Sequence, residues 1–188
     1  MSNFRSDIDA VLFNNEPISR GKVVGWIENT TDLPTLSKLY RLTGDCYNRI
    51  QPDLGIEATC GLIQRYLLEC IRQNVTDDAD IQNRFEAAQT LQAWFYHLVE
   101  MEGTSAVLTR VASAITDLFL TGDEKIRNVI ETAFLEHVLE TASLRPYFEY
   151  WARDARLRPA WERGLEWGKA HPDWTLELLR QIPKPPKS

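Results

Sequence analysis

Between Pro52 and Pro146 the chain contains no proline. Proline removes a backbone donor and clashes with the preceding helical turn, so this stretch permits long uninterrupted helices. Its apolar residues recur at helical spacing. Ile56, Cys60, Ile63, Leu67, Cys70 and Ile71 predict a helix over 55–73. Ile81, Phe85, Ala88, Leu91, Phe95 and Leu98 predict a second over 78–101, ended by Gly103. Thr104 or Ser105 suits the cap of a third, which buries Leu108, Val111, Ile115, Leu118 and Phe119 and stops at Gly122. Asp123 opens a fourth, 123–140, where its carboxylate suits the positive end of the helix dipole. Such short connections predict antiparallel neighbours, and hence two helical hairpins.

A weak internal repeat accompanies this pattern. Asp78, Ile81, Asn83, Glu86 and Ala88 fall 45 residues before Asp123, Ile126, Asn128, Glu131 and Ala133. A two-helix unit repeating every 40–47 residues or so is the period of HEAT and armadillo arrays. The expectation is therefore all-α: antiparallel hairpins stacked as a short, right-handed HEAT/armadillo-like array. A single domain, 1–182, would comprise N-terminal helices (1–52), the two hairpins (53–140) and an aromatic cap (141–182), followed by a tail at 183–188.

The flanks are less regular. Ile8, Val11 and Leu12 line one short helix before Asn14, Asn15 and Pro17. Val23, Val24, Trp26 and Ile27 fit a helix, with a strand left open by their β-branched content. Asp32 or Thr31 can cap a helix carrying Pro34 in its first turn and Leu33, Leu36, Leu39, Tyr40 and Leu42 on its buried stripe, with Gly44 as a stop. Beyond Thr141, four of the six tryptophans fall within 24 residues, at Trp151, Trp161, Trp167 and Trp174. Leu144-Arg145-Pro146 and Leu157-Arg158-Pro159 each open a short helix, with Ser143 and Asp154 as candidate caps. On the second, Gly164 and Gly168 share a face with Trp161 and Leu165 and let another helix approach closely. A last helix is predicted at 174–181, and the proline-rich 182–187 should be extended.

Charge is unevenly distributed. Residues 1–140 hold 21 Asp and Glu against 12 Lys and Arg, a balance of −9, whereas 141–188 hold 6 against 9. An acidic body repels phosphate backbones and favours a basic protein partner, although much of such charge simply solvates helix surfaces. The N-terminus lacks the pattern of a secretory signal, and no apolar run approaches the roughly 18 residues of a membrane span. Cys46, Cys60 and Cys70 form no CxxC pair; sparse, odd thiols of this kind fit a reducing cytoplasm.

Few residues suggest reaction chemistry. Glu136 and Glu140 stand one turn apart with His137 beside them, but a metal or acid–base site needs further ligands from other helices, such as a Glu-x-x-His motif on each of two, and the sequence has no such motif. His137 shares the apolar side with Ile130, Phe134 and Val138, which favours a buried, hydrogen-bonded histidine. No nucleophile elbow and no glycine-rich phosphate loop is present. The expectation is no catalysis, no metal and no cofactor. Tryptophan, tyrosine and arginine dominate interface hot spots, so Tyr147, Tyr150, Trp151 and Trp167, with the outward acidic edge of Glu136 and Glu140, are the candidate partner-binding residues. The same aromatics could instead close the end of the array by packing.

Asp123-Glu124-Lys125-Ile126-Arg127-Asn128-Val129-Ile130, followed by Phe134-Leu135-Glu136 and later by Leu157-Arg158-Pro159-Ala160-Trp161, resembles a pattern in small all-helical immunity proteins. Those proteins accompany bacterial polymorphic or contact-dependent toxins. The likeness spans about residues 55–170 and departs at Arg158, where the pattern has glycine. What the resemblance implies is a cytoplasmic, stoichiometric inhibitor of one toxin domain with no catalytic residues. A general helical adaptor is the alternative, and a metal- or small-molecule binder built on Glu136, His137 and Glu140 the third reading.

Overall fold

The computed structural model describes residues 4–14 and 16–170. The chain is mostly helical with almost no strand, so the all-α expectation holds. Its contacts divide it into two compact units, Met1–Ala87 and Ala88–Ser188. The dividing line falls inside a helix, and not after residues 52 or 140, where the composition shifts. The predicted helix at 174–181, the segment 183–188 and His171 lie outside the described residues.

The first unit contains α1 (Phe4–Phe13), α2 (Arg20–Asn29), α3 (Leu33–Asp45) and α4 (Ile56–Gln73). The helix-or-strand ambiguity near Val23 resolves to helix, because Val23 and Trp26 are buried one turn apart. Among the described residues, strand is confined to β1 (Ile18–Ser19), which pairs in parallel with β2 (Ile50–Gln51). The Asp32 carboxylate caps α3, accepting from the Thr35 amide at 2.9 Å. Pro34 sits in the first turn, where its missing amide costs nothing. This helix runs through Gly44 to Asp45, so Gly44 is not its stop; the Cys46 amide closes it onto the Leu42 carbonyl. On α4 the buried edge is Cys60, Leu62, Tyr66, Leu67, Cys70 and Ile71. The expected edge is thus rotated, leaving Ile56 exposed and Ile63 half-buried. Tyr66 takes the central place, its ring stacked on Tyr40 with centroids 4.5 Å apart.

The helix spanning the division, α5 (Arg84–Val99), starts six residues later than its apolar stripe suggests. Asn83 is the reason. Its Oδ1 accepts from the amides of Phe85 and Glu86, while the Glu86 carboxylate accepts from the Asn83 amide, a reciprocal capping box. In the 45-residue register Asn83 faces Asn128, a mid-helix residue, and Asp78 faces the true cap Asp123. The two helices begin at residues 84 and 124, so that register does not superpose their starts.

In the second unit, α6 (Ser105–Thr121) buries the whole predicted stripe together with Val107, Ala112 and Thr116. Thr104 occupies the cap position, yet its hydroxyl turns back to donate to the Leu98 and Met101 carbonyls. Asp123 does cap the next helix, accepting from the Ile126 amide at 2.8 Å. The predicted helix 123–140 is continuous but not uniform: α7 (Glu124–Val129) passes into a π segment (Ile130–Leu135) and then α8 (Glu136–Glu140). A π-bulge accommodates one extra residue, about 100° of rotation, so the residues beyond it face a direction that 3.6-residue counting misplaces. A nine-residue 3-10 helix (Arg145–Arg153) and α9 (Arg158–Ala170) complete the described chain.

The glycine pair on α9 behaves as its spacing suggests. A Cβ at Gly164 would lie 2.9 Å from a Leu139 methyl, and one at Gly168 would lie 3.2 Å from the Glu140 Cα. A side chain at Gly168 would press on the Glu140 backbone, whereas one at Gly164 would meet the movable end of Leu139, so the tighter constraint lies at Gly168.

Candidate partner-binding groove

The 3-10 helix sets the geometry of this region. Three residues per turn place side chains at i and i+3 directly above one another. Phe148 and Trp151 therefore share one edge and Tyr147 and Tyr150 share another. The first edge is core: Phe148 and Trp151 are fully buried, with Phe148 packed against Phe95 and Phe134, and Trp151 against Phe119. Trp151, a candidate contact residue on the sequence, is a core residue here and is thus removed from the candidate contact residues. The second edge faces outward. Tyr150 is 43% exposed, and Tyr147 is half-buried with its ring edge-on to Phe95.

Opposite the tyrosine edge, α6 presents Ser105, Thr109, Ser113, Thr116 and Asp117, spaced by helical turns. Their small side chains leave a groove of about 700 Å³, lined also by Pro146 and both tyrosines. That volume lies within the roughly 300–1,000 Å³ of ordinary ligand pockets. The composition signals the groove only faintly, because polar residues on α6 read as plain solvent face.

One hydroxyl fixes the groove wall. Thr116 Oγ1 donates to the Ala112 carbonyl at 2.8 Å and accepts from Trp151 Nε1 at 2.8 Å. Its remaining capacity pairs with the Tyr150 hydroxyl, which also lies 3.4 Å from the Ala112 carbonyl. The Tyr150 side chain is thereby anchored through its hydroxyl to the α6 wall.

The other candidate residues gather elsewhere and face inward. The Glu140 side chain is only 4% exposed. It accepts from Trp167 Nε1 at 3.1 Å and lies 3.4 Å from His137 Nδ1. It forms no outward acidic edge, since the π segment has turned it beneath α9. Half-buried His137 meets the Trp167 ring edge-on, and its carbonyl accepts from the Tyr96 hydroxyl at 2.6 Å. Trp167 and Glu136 are half-buried. Arg145 closes the end of α8 by donating to the Leu139 and Glu140 carbonyls. Among the described residues no group of three or more His, Cys, Asp or Glu side chains is placed to hold a metal ion. Nor is any helix there long and apolar enough to cross a membrane.

In the first unit, burial shifts two groups strongly. It pushes the Tyr66 phenol up to about 12 and the Cys70 thiol up to about 11, and it raises Tyr40 as well. A buried, neutral thiol of this kind is a poor nucleophile. All three cysteines are buried.

Fold and geometry together define an all-α chain carrying an open, tyrosine-edged groove. No family model, no curated protein and no solved structure matches it.

Proposed function

We propose that the chain is a non-enzymatic protein-binding module: an immunity-type inhibitor that binds and blocks one basic toxin domain of a bacterial competition system, built as a short HEAT-like array. The observation that carries this reading is the pre-organised Tyr147–Tyr150 edge facing Asp117 across an open groove. It belongs to a chain whose first 140 residues have a balance of −9. Tyrosines supply large contact area at little conformational cost, and a surplus of carboxylates steers a basic partner toward them. The resemblance of residues 123–136 and 157–161 to immunity proteins supplies the class of partner.

The test is co-purification with the product of the neighbouring gene, paired with protection of cells expressing that product. A one-to-one complex that survives gel filtration, and is lost in Tyr150→Ala, is the expected result. Absence of a complex at micromolar concentration, or of protection, overturns it. Modest binding to several unrelated proteins instead would identify an adaptor.

A further inference from the structure

Among the described residues that line the groove between α6 and the 3-10 helix, Asp117 carries the only charge. It is exposed, and it directly follows Thr116, whose hydroxyl pairs with that of Tyr150. A carboxylate thus stands beside the anchor of a tyrosine that is itself 43% exposed. The rest of the α6 wall, Ser105, Thr109 and Ser113, offers exposed hydroxyls at intervals of one helical turn. From Ser105 to Asp117 that wall runs about 18 Å, the length of about five or six residues of extended chain.

This end of the groove selects among partners. A phosphate is repelled by the carboxylate and meets no cation among the described lining residues. A lysine ammonium pairs with a carboxylate only as a strongly hydrated point charge. A guanidinium does two things at once. It forks onto a carboxylate through parallel N–H bonds, and it lays its weakly hydrated face on an aromatic ring. Asp117 and Tyr150 supply those two surfaces.

We propose that the groove seats an extended, arginine-bearing segment of a protein partner, with the arginine forked onto Asp117 and stacked on Tyr150. The hydroxyls of Ser105, Thr109 and Ser113 take the segment's backbone groups, and Tyr147 covers a neighbouring residue. The balance of −9 over residues 1–140 draws a basic segment toward the groove. The proposal deepens the inhibitor reading and rests on it for one thing, that the groove meets a protein.

The experiment uses the full chain and three capped peptides: Gly-Ala-Arg-Ala-Gly and its lysine and citrulline counterparts, citrulline being the neutral isostere of arginine. Each is titrated while the ring resonances of Tyr147 and Tyr150 are followed by NMR. The arginine peptide should shift Tyr150 saturably, the lysine peptide should need about tenfold more, and the citrulline peptide more again. In Asp117→Asn the arginine peptide should weaken about tenfold and lose its advantage over citrulline, which a merely structural role for Asp117 would not produce. Asp117→Glu should keep the preference for arginine. The peptide comparison is made on the unaltered chain, so it decides the matter even where a variant fails to fold. Equal affinity for arginine and citrulline, or for arginine and lysine, overturns the proposal. So does an arginine preference that survives Asp117→Asn, or one that leaves Tyr150 unshifted. The two readings fail separately. Arginine selectivity without a complex with the neighbouring gene's product overturns the inhibitor alone, and a complex without arginine selectivity overturns the arginine site alone.

Discussion

In residues 1–87, arginines reach backbone carbonyls 12 to 38 residues away. Arg49 donates to Val11 and Glu16, Arg65 to Ile27 and Thr30, and Arg84 to Ile71 and Arg72. In residues 88–170 the same residue type reaches only five or six. Arg127 closes on Gly122, Arg145 on Leu139 and Glu140, and Arg158 on Ala152. All satisfy carbonyls that a helix end or turn leaves without an intrahelical partner. In the first unit they also fasten one element to another. In the second the carbonyl-bound arginines finish an element locally; the elements are held by a forked Arg163–Glu131 ion pair between α9 and the π segment and by rings, of which Phe95, Phe119, Phe134, Phe148 and Trp151 form a connected lattice. A guanidinium thus fixes tertiary structure only when its acceptors are distant in sequence; otherwise apolar shape has to do it.

The largest expected effect comes from the lattice. Trp151→Ala removes a fully buried ring touching Phe119 and Phe148, and should cost about 3–5 kcal/mol in urea unfolding. A loss below about 1 kcal/mol would mean that the rings do not hold the second unit. Next comes the arginine contrast. Arg65→Met strips two charge-assisted bonds from the end of α2 and should cost about 2–3 kcal/mol. Arg145→Met, whose acceptors lie within its own turn, should cost about 1 kcal/mol. Equal losses would erase the distinction between fastening and finishing.

Particular residues decide how much of this is legible in the sequence. The period of 3.6 in Leu108, Val111, Ile115, Leu118 and Phe119 locates α6, and Asp32 and Asp123 mark true caps. Gly164 and Gly168 signal a close helix approach that the structure contains. Counting fails where the backbone leaves the α-helical period. A period of 3.6 puts Glu140 outward, yet a π segment precedes it. The π segment holds neither proline nor glycine. The 3-10 helix has only Pro146, in a first turn where an α-helix tolerates it equally well, so composition gives no warning of either. Asn83 is the opposite case, a cap in plain view whose apolar neighbour Ile81 makes the helix look longer. The groove residues Thr109, Ser113 and Asp117 carry no signal of their own, because a polar helix face means solvent until another element is brought against it.

The third contrast is titration. The first unit buries ionisable groups, whereas the described lattice of the second consists of rings. Tyr66 and Cys70 are raised from 10.0 and 9.0 to about 12 and about 11, chiefly by burial. Both are neutral when protonated, so the folded state favours the protonated form. Their contribution is fully present below the unfolded values and is lost as pH rises, from about 9 to 11 for Cys70 and from about 10 to 12 for Tyr66. Unfolding midpoints should therefore fall steadily above about pH 9. Cys70→Ala should flatten the first part of that fall, and a profile unchanged by the substitution would place the loss elsewhere.

The last comparison tests the groove wall, and within it Tyr150→Phe is the smallest expected effect. Tyr150→Phe removes a phenol whose ring edge reaches water, so the loss should be about 0.5–1 kcal/mol. Thr116→Val keeps the shape but leaves the Trp151 indole N–H buried beside a methyl group. That donor is cut off from solvent, and an unsatisfied buried donor costs about 1–3 kcal/mol. Thr116→Val should therefore be the more damaging change although both variants lose the same Thr116–Tyr150 bond. Measuring the double variant closes the cycle. If Tyr150→Phe adds its full cost on top of Thr116→Val, the phenol has a second anchor, for which the Ala112 carbonyl at 3.4 Å is the nearest acceptor. If it adds nothing, Thr116 alone holds the ring that faces the groove.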